Sequence, residues 1–446
     1  LLRKTGCENK KEETMTKPIW DAAHSIDARG DTVIAGLSVS RRLILVGAIA
    51  ALAAPQIARG EGKNFRIGML SVFSGATAQT GVTHRNAVQM EVERINASGG
   101  LAGRQIEVLY RDSKGQAQEA ARLARELVNS ENCDMLLNAD TSASTFAIQE
   151  VVRDLGVLCI HSSSETSSLT ADPKYRVATA FRSSRQGIHD AIVGGAYAAK
   201  IAKEKKLTRW ATTSPDYAYG RDTTAQYLEY LAVGLPNLEL VTQTWPKLGA
   251  PDYTEVITKL IQARPQAMYT ALFGGDLTAF VNQSAIYALF GQMTVFSVNL
   301  ADYTALTAIK SLPAGIESGN RYLANFPDTP SNHAWADGYR KRYNEYPTNW
   351  SWESATALLF LEAAAKQAGS ADPKRLAETL RGLKIACPFG SDGTVTMRAE
   401  DQTVIGYAIG WGPSTPNPPY VTNIQAGDWG RILEAEAEWK KRSGFV

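Results

Sequence analysis

The sequence predicts an α/β protein made of two Rossmann-like lobes, each organised on a parallel central sheet. Three observations carry that reading. Short apolar runs alternate with stretches of helical period from Phe65 to about Glu165, the pattern of strands and helices in turn. The alternation breaks at residues 181–186, restarts, and continues to about Val298. The 446 residues also exceed what one hydrophobic core usually organises, so two domains are the default.

Residues 65–71 are long enough for a buried strand, and 74–81 form a loop of Ser, Gly, Thr and Gln. Val88, Val92 and Ile95 then follow the i, i+4, i+7 spacing of a helix with one buried face over 82–96. Gly99 and Gly100 suit the left-handed turn that ends it, and 105–110 is a second strand. Strand, helix and strand make one βαβ unit. A helix over 116–130 puts Ala120, Leu123, Ala124, Leu127 and Val128 on one face. A strand at 133–138, a helix to Leu155 and a strand at 156–160 complete the first set.

The second set reads helix 187–203, strand 209–213, helix 221–233, strand 238–242, helix 253–263, strand 266–273, helix 276–289 and strand 293–298. Pro251 and Pro265 bracket one of these helices. A strand at 321–326 precedes three helical stretches without strands between them, at 333–344, 351–369 and 373–383. Strand-like alternation returns at 395–397 and 403–411. Pro413, Pro416, Pro418 and Pro419 then exclude a core strand.

A formal net charge of +2 with 21% charged residues argues against a nucleic-acid binder working through a basic surface. Arg41 and Arg42 precede an apolar stretch at 43–54, and Ala51-Leu52-Ala53 has the small-x-small pattern of a signal-peptidase site;. A secretory signal peptide cleaved near Ala53 is expected, by the general route or, given the paired arginines, the twin-arginine one. Residues 1–60 therefore stand outside the fold, and the protein is expected to be periplasmic. Cys133, Cys159 and Cys387 are odd in number and lack metal spacing, so buried thiols are expected, with no metal and no cofactor.

Catalytic patterns such as G-x-S-x-G, H-E-x-x-H or a P-loop do not occur in the sequence;. An enzyme would have to use His161 with Ser162, Ser163 or Ser164, and hydroxyl clusters after strands are usually caps; no catalysis is expected. Polar loops remain after strands, at 74–79, 140–145, 162–166, 216–220, 273–276 and 299–303. Helix capping explains any one of them. If the two halves face each other, all line one cleft, where sites between domains are common. Loop 140–145 opens a helix, so its N–H groups and a hydroxyl of Ser142 or Thr145 can face an anion.

Residues 67–75 read I-G-x-L-S-x-x-S-G and 95–104 read I-N-A-S-G-G-L-A-G-R. With the hydroxyl cluster at 141–145 and the loop at 216–220, these motifs resemble the periplasmic solute-binding proteins of branched-chain amino acid ABC transporters, the Leu/Ile/Val-binding type. The resemblance covers about residues 65–411. It implies one lobe at 64–181 plus 327–390 and another at 182–326 plus 391–446. Three crossovers near 181–185, 325–328 and 389–400 would form a hinge that closes on the ligand. It also implies a monomer that passes a branched-chain amino acid or similar small carboxylate to a membrane permease.

Residue by residue, the family's carboxylate-binding serine falls on Ser142. Its partners fall on Ser163 and on Glu165, a departure from the usual threonine. The covering aromatic is Tyr219, and the next contact is Phe273 or Gly274. Where amino-acid binders of this type place an acid for the ligand's ammonium, this sequence has Asn299, with Asp302 the nearest acid. The ligand is then an amino acid held by Asp302 or Glu165, or a molecule without ammonium such as an aromatic or aliphatic acid or amide. Ser74 and Gln79 are expected at the cleft's edge. A ligand-sensing receptor of the same fold is the competing function, and the signal peptide speaks against a cytoplasmic one.

Overall fold

The computed structural model describes residues 63–446 apart from Ala76, together with a two-stranded antiparallel ribbon, Val33–Ile34 with Leu37–Ser38. The expected signal peptide at 43–54 lies outside the described residues.

β1 (Phe65–Ser71) has Phe65, Ile67, Met69 and Leu70 fully buried. Neighbouring residues point to opposite faces, so both faces must be covered, which is the condition of a parallel sheet flanked by helices. β1 pairs in parallel with β2 (Ile106–Asp112) and β3 (Met135–Ala139). β4 (Leu158–His161) and β5 (Ala180–Arg182) complete a five-stranded sheet in the order β2-β1-β3-β4-β5. β5 occupies the stretch where the sequence rhythm breaks, and its three residues are too short to show a period.

α1 (Ala78–Ala97) begins four residues earlier than the apolar spacing predicts. Gly81 permits this: a Cβ there would stand 2.1 Å from the Val72 carbonyl oxygen, so the helix start rests against the end of β1. α2 (Ala117–Asn129) and α3 (Ser142–Leu155) pack together on the other face. There Leu123, Leu127, Ile148 and Val152 meet Leu70, Leu136 and Cys159.

The second sheet repeats the arrangement, with α4 (Gly187–Lys205), α5 (Ala218–Gly234), α6 (Thr254–Ala263) and α7 (Gly274–Ile286) as its connections. β6 (Arg209–Thr213), β7 (Glu239–Thr244), β8 (Ala267–Thr270), β9 (Thr294–Asp302) and β10 (Glu317–Tyr322) run parallel in the order β7-β6-β8-β9-β10. β9 extends to Asp302 rather than stopping at 298, with register shifts opposite β10 between Ser297 and Asp302. β10 starts before the strand expected at 321–326, so Arg321 lies inside it.

After β10 come α8 (Pro330–Tyr343), α9 (Asn349–Ala368) and α10 (Pro373–Leu380). α9 packs on α1 and α10 against β4, so the strandless helical stretch covers the five-stranded sheet, as the family resemblance implies. The stretch 403–411 is not one strand. β11 (Lys384–Ala386), β12 (Thr394–Met397) and β13 (Val404–Ile405) form a small antiparallel sheet. β14 (Gly410–Pro413) and β15 (Gln425–Ala426) instead extend the second sheet antiparallel at its edge, where a terminal proline is tolerated;. A final helix, α11 (Trp429–Arg442), packs on α4. The chain thus passes between the two large sheets after β5, after β10, and through the small sheet. Cys133, Cys159 and Cys387 are buried free thiols.

Candidate ligand-binding cleft

The carboxyl ends of both parallel sheets open onto one cavity of about 500 Å³, mouth included. Small-molecule sites of open α/β sheets lie at such strand ends. Thr77 and Thr80 of the α1 start, Asp140, Thr141 and Ser142 after β3, and Ser163 and Glu165 after β4 line one wall. Tyr217 and Tyr219 after β6, Phe273 after β8, Asn299 on β9 and Arg321 on β10 line the other, with Trp350 from the first turn of α9.

The first wall is polar because α3 starts there. Thr141 caps the helix, its hydroxyl accepting from the Ser144 N–H at 3.3 Å. N–H groups of a first helical turn have no intrahelical partner, so this turn is an anion-binding end. Ser142 is 3% exposed and its Oγ accepts from the Ser164 hydroxyl at 3.3 Å. Asp140, just before the cap, is buried. Its Oδ1 accepts from the Thr141 N–H at 2.6 Å, while Oδ2 has no partner among the described residues. Burial raises the pKa of this carboxyl, although the Ser113, Thr141 and Ser144 hydroxyls favour its charged form.

Glu165 pairs with Arg321 through Oε1, which also accepts from Asn349 Nδ2 at 3.4 Å; its Oε2 is buried and unpartnered among the described residues. Arg321 holds Asp190 at 2.6 Å, and Arg185 holds the same carboxylate at 2.9 Å. This network joins the loop after β4 to β10 and α4, beside the first two chain passages. Burial lowers Arg321 to about 10, which leaves it charged at neutral pH. Burial pushes the neighbouring Glu353, which accepts from the Arg185 N–H at 3.0 Å, up to about 8.

The second wall is aromatic. Tyr217 and Tyr219 lie 5.9 Å apart between ring centroids, Tyr219 meets Phe273 edge-on at 5.9 Å, and Phe273 lies 6.0 Å from Trp350. Asn299 fixes Tyr219 by donating to its hydroxyl at 2.9 Å, and its Nδ2 is also 3.1 Å from the carbonyl oxygens of Ala271 and Leu272. Trp350 begins the helix that covers the first sheet, so the aromatic row crosses the cleft.

Of the residues singled out in the sequence, Ser142, Ser163, Glu165, Tyr219, Phe273 and Asn299 meet at this cavity. The other four do not line it. Asp302 is turned away: Oδ1 accepts from the Thr304 N–H at 2.9 Å and Oδ2 from the Asn349 N–H at 2.6 Å, tying β9 to the start of α9. Ser74 is exposed. Gln79 is carried into α1 by the early helix start and donates to Glu345 at 3.3 Å. Gly274 is at the rim, where a Cβ would come 3.9 Å from Thr80 across the cleft. Arg321, Trp350, Tyr217 and the cavity role of Asp140 were missed. A lone arginine in a predicted strand was the available signal for Arg321.

His161 does not face the serines beside it. Asn138 Nδ2 lies 2.9 Å from its Nδ1 and Gln149 Oε1 2.7 Å from its Nε2, and burial lowers it to about 3. It is a neutral structural histidine. No group of three His, Cys, Asp or Glu that could hold a metal occurs among the described residues, nor a helix long and apolar enough to cross a membrane.

The chain is similar to the leucine-, isoleucine-, valine-, threonine- and alanine-binding protein of Pseudomonas aeruginosa, with 23% identity over 79% of this chain and 90% of that one. Its fold is similar to a solute-binding protein of an ABC transporter from Rhodopseudomonas palustris BisB5, solved in complex with 3,4-dihydroxybenzoic acid (TM-score 0.74, 22% identity, 82% of this chain and 98% of that one). It is also similar to the branched-chain amino acid transporter substrate-binding protein LivJ of Streptococcus pneumoniae in complex with isoleucine (TM-score 0.68, 20% identity, 82% and 99%). The family model for periplasmic binding proteins matches residues 64–409, and the chain belongs to that family.

Proposed function

We propose that this protein is the extracytoplasmic solute-binding component of an ABC transporter, taking up an amino acid or similar small carboxylate and delivering it to a membrane permease without catalysis. The observation that carries the reading is the cavity at the carboxyl ends of two parallel sheets, with a helix start on one wall and an aromatic row on the other. Ser142 and the first-turn amides of α3 hold the ligand's carboxylate, Ser163 supports it, and Tyr219 and Phe273 cover its apolar body. The lobes at 64–181 with 327–390 and at 182–326 with 391–446 close about the chain passages. An aromatic body is a second option, favoured by the four aromatic side chains at the cavity.

A thermal-shift screen of amino acids, aromatic acids and amides tests this, because a ligand that binds only the folded state raises the melting temperature by mass action. At least one class is expected to raise it in a concentration-dependent way. A protein that none of them stabilises, and that instead turns one over, would refute a transport role.

A further inference from the structure

Resting on the reading of the cleft as a ligand site, we propose that Asp302 and Tyr303, which lie outside the cavity lining, are positioning residues: from the second sheet they hold Trp350 over the cavity, and through it they set how firmly a ligand is kept.

Trp350 lines the cavity 6.0 Å from Phe273, yet it is carried by α9, whose body packs on α1. It is the second residue of that helix, so its place follows from how the first turn is held. On the side of the first sheet, Thr348 and Ser351 form a capping box, and the Thr348 hydroxyl donates to Thr83 of α1 at 3.0 Å. The Asn349 N–H has no acceptor within the helix, as for any first-turn N–H. Asp302 Oδ2 accepts it at 2.6 Å. The end of β9 thus supplies a carboxylate to a helix start that belongs to the other layer, an arrangement favoured by the helix dipole and by the charge on the acceptor. The other oxygen fixes the direction of the side chain: Oδ1 accepts from the Thr304 N–H at 2.9 Å and from its hydroxyl at 2.6 Å. Asp302 is 1% exposed, so water does not compete for these bonds.

The next residue makes a second tie. The Tyr303 ring stacks on Tyr346, with centroids 4.1 Å and planes 13° apart, and the Arg340 guanidinium of α8 lies 4.1 Å from the Tyr346 centroid. Tyr346 belongs to the segment that joins α8 to α9 and leads directly to Trp350. Two adjacent residues of the second sheet therefore grip both ends of residues 346–349, and neither of the two lines the cavity. Loosening them frees the Trp350 ring while the polar groups after β3 and β4 stay in place, so retention of the ligand falls and its discrimination does not.

Fluorine NMR of the protein labelled with fluorotryptophan reads Trp350 without any ligand, its resonance being identified by Trp350→Phe. Asp302→Asn keeps the size of the side chain but leaves a single acceptor oxygen where the structure uses two. Tyr346→Ala removes the stack, and Tyr346→Phe retains it. Asp302→Asn and Tyr346→Ala are expected to shift or broaden the Trp350 resonance and to leave that of the fully buried Trp210 unchanged; Tyr346→Phe is expected to leave both. Calorimetry with leucine and benzoate as probes is expected to show about tenfold weaker binding by Asp302→Asn, alike for both. In a Trp350→Ala background the same change is expected to cost less than about twofold, because residues that act through one another are not additive. An unchanged Trp350 resonance in Asp302→Asn would overturn the proposal. So would a full loss in the Trp350→Ala background, or a loss confined to leucine, which would make Asp302 a ligand contact. If Asp302→Asn does not fold, the Tyr346→Ala and Tyr346→Phe pair decides by the same readings. If neither probe binds, the reading of the cleft falls, and the resonance still decides whether the two residues position Trp350.

Discussion

Equivalent places on the two sheets offer the cleft different chemistry. After β3 and β4 the chain presents Asp140, Ser142, Ser163 and Glu165; after β6 and β8 it presents Tyr217, Tyr219 and Phe273. In both, a strand end runs into a helix start, so the backbone contributes alike and the side chains make the difference. On the proposed function, directional groups on the first wall would distinguish one ligand from another. The rings on the second would remove apolar surface from water whatever the head group, and so would set how tightly a chosen ligand is held.

The largest effect is expected where the walls are tied together. Arg321→Met leaves Glu165 and part of Asp190 without their cation in a buried site, and should cost about 3–5 kcal/mol of stability, read from the midpoint of denaturant unfolding. A loss near zero would mean that the pair does not hold the walls in register.

The next effect comes from the polar side's own support. His84 on α1 and His161 on β4 are buried, and burial lowers each to about 3. Below the ordinary histidine value of about 6.5 the unfolded chain takes up protons that the folded chain refuses. Their contribution is thus complete above about pH 6.5 and declines by about 1.4 kcal/mol per pH unit for each histidine as acid is added. His161→Gln should flatten the pH profile of stability between pH 4 and 6.5 by one such share.

The smallest effects separate the walls themselves. Tyr219→Ala should weaken every bound ligand by about 2 kcal/mol, and Ser142→Ala should cost about 1 kcal/mol, only for ligands with a carboxylate. Calorimetry with one carboxylate ligand and one amine reads both; equal losses for the two ligands at Ser142 would erase the distinction drawn between the walls.

Two aspartates show what could be read from the chain and what could not. Both stand where a strand meets a helix; the sequence predicts Asp302 as a ligand contact and Asp140 as part of a helix-opening loop. The structure places them differently: Asp302 caps the turn at Thr304 and receives the start of α9, while Thr141 takes the cap of α3 and Asp140 lies among the residues lining the cavity. A cap and a cavity-lining acid differ by one residue of position and by which way the side chain turns, and neither leaves a mark on apolar periodicity. Ser142, Tyr219 and Phe273 were legible because each lies at a strand-to-helix switch, whose location follows from local pattern.

The sequence by itself determined the alternation of strands and helices, the parallel sheets that follow from it, and the loops that reach the cleft. These rest on short-range rules of spacing, capping and strand burial, which a linear reading can apply. Tertiary structure alone decided that Glu165 meets Arg321, separated by 156 residues, that Trp350 completes the aromatic row, and that Asp302 turns away from the cavity. Charge pairing and burial depend on what folding brings within a few ångströms, and that distance has no counterpart along the chain.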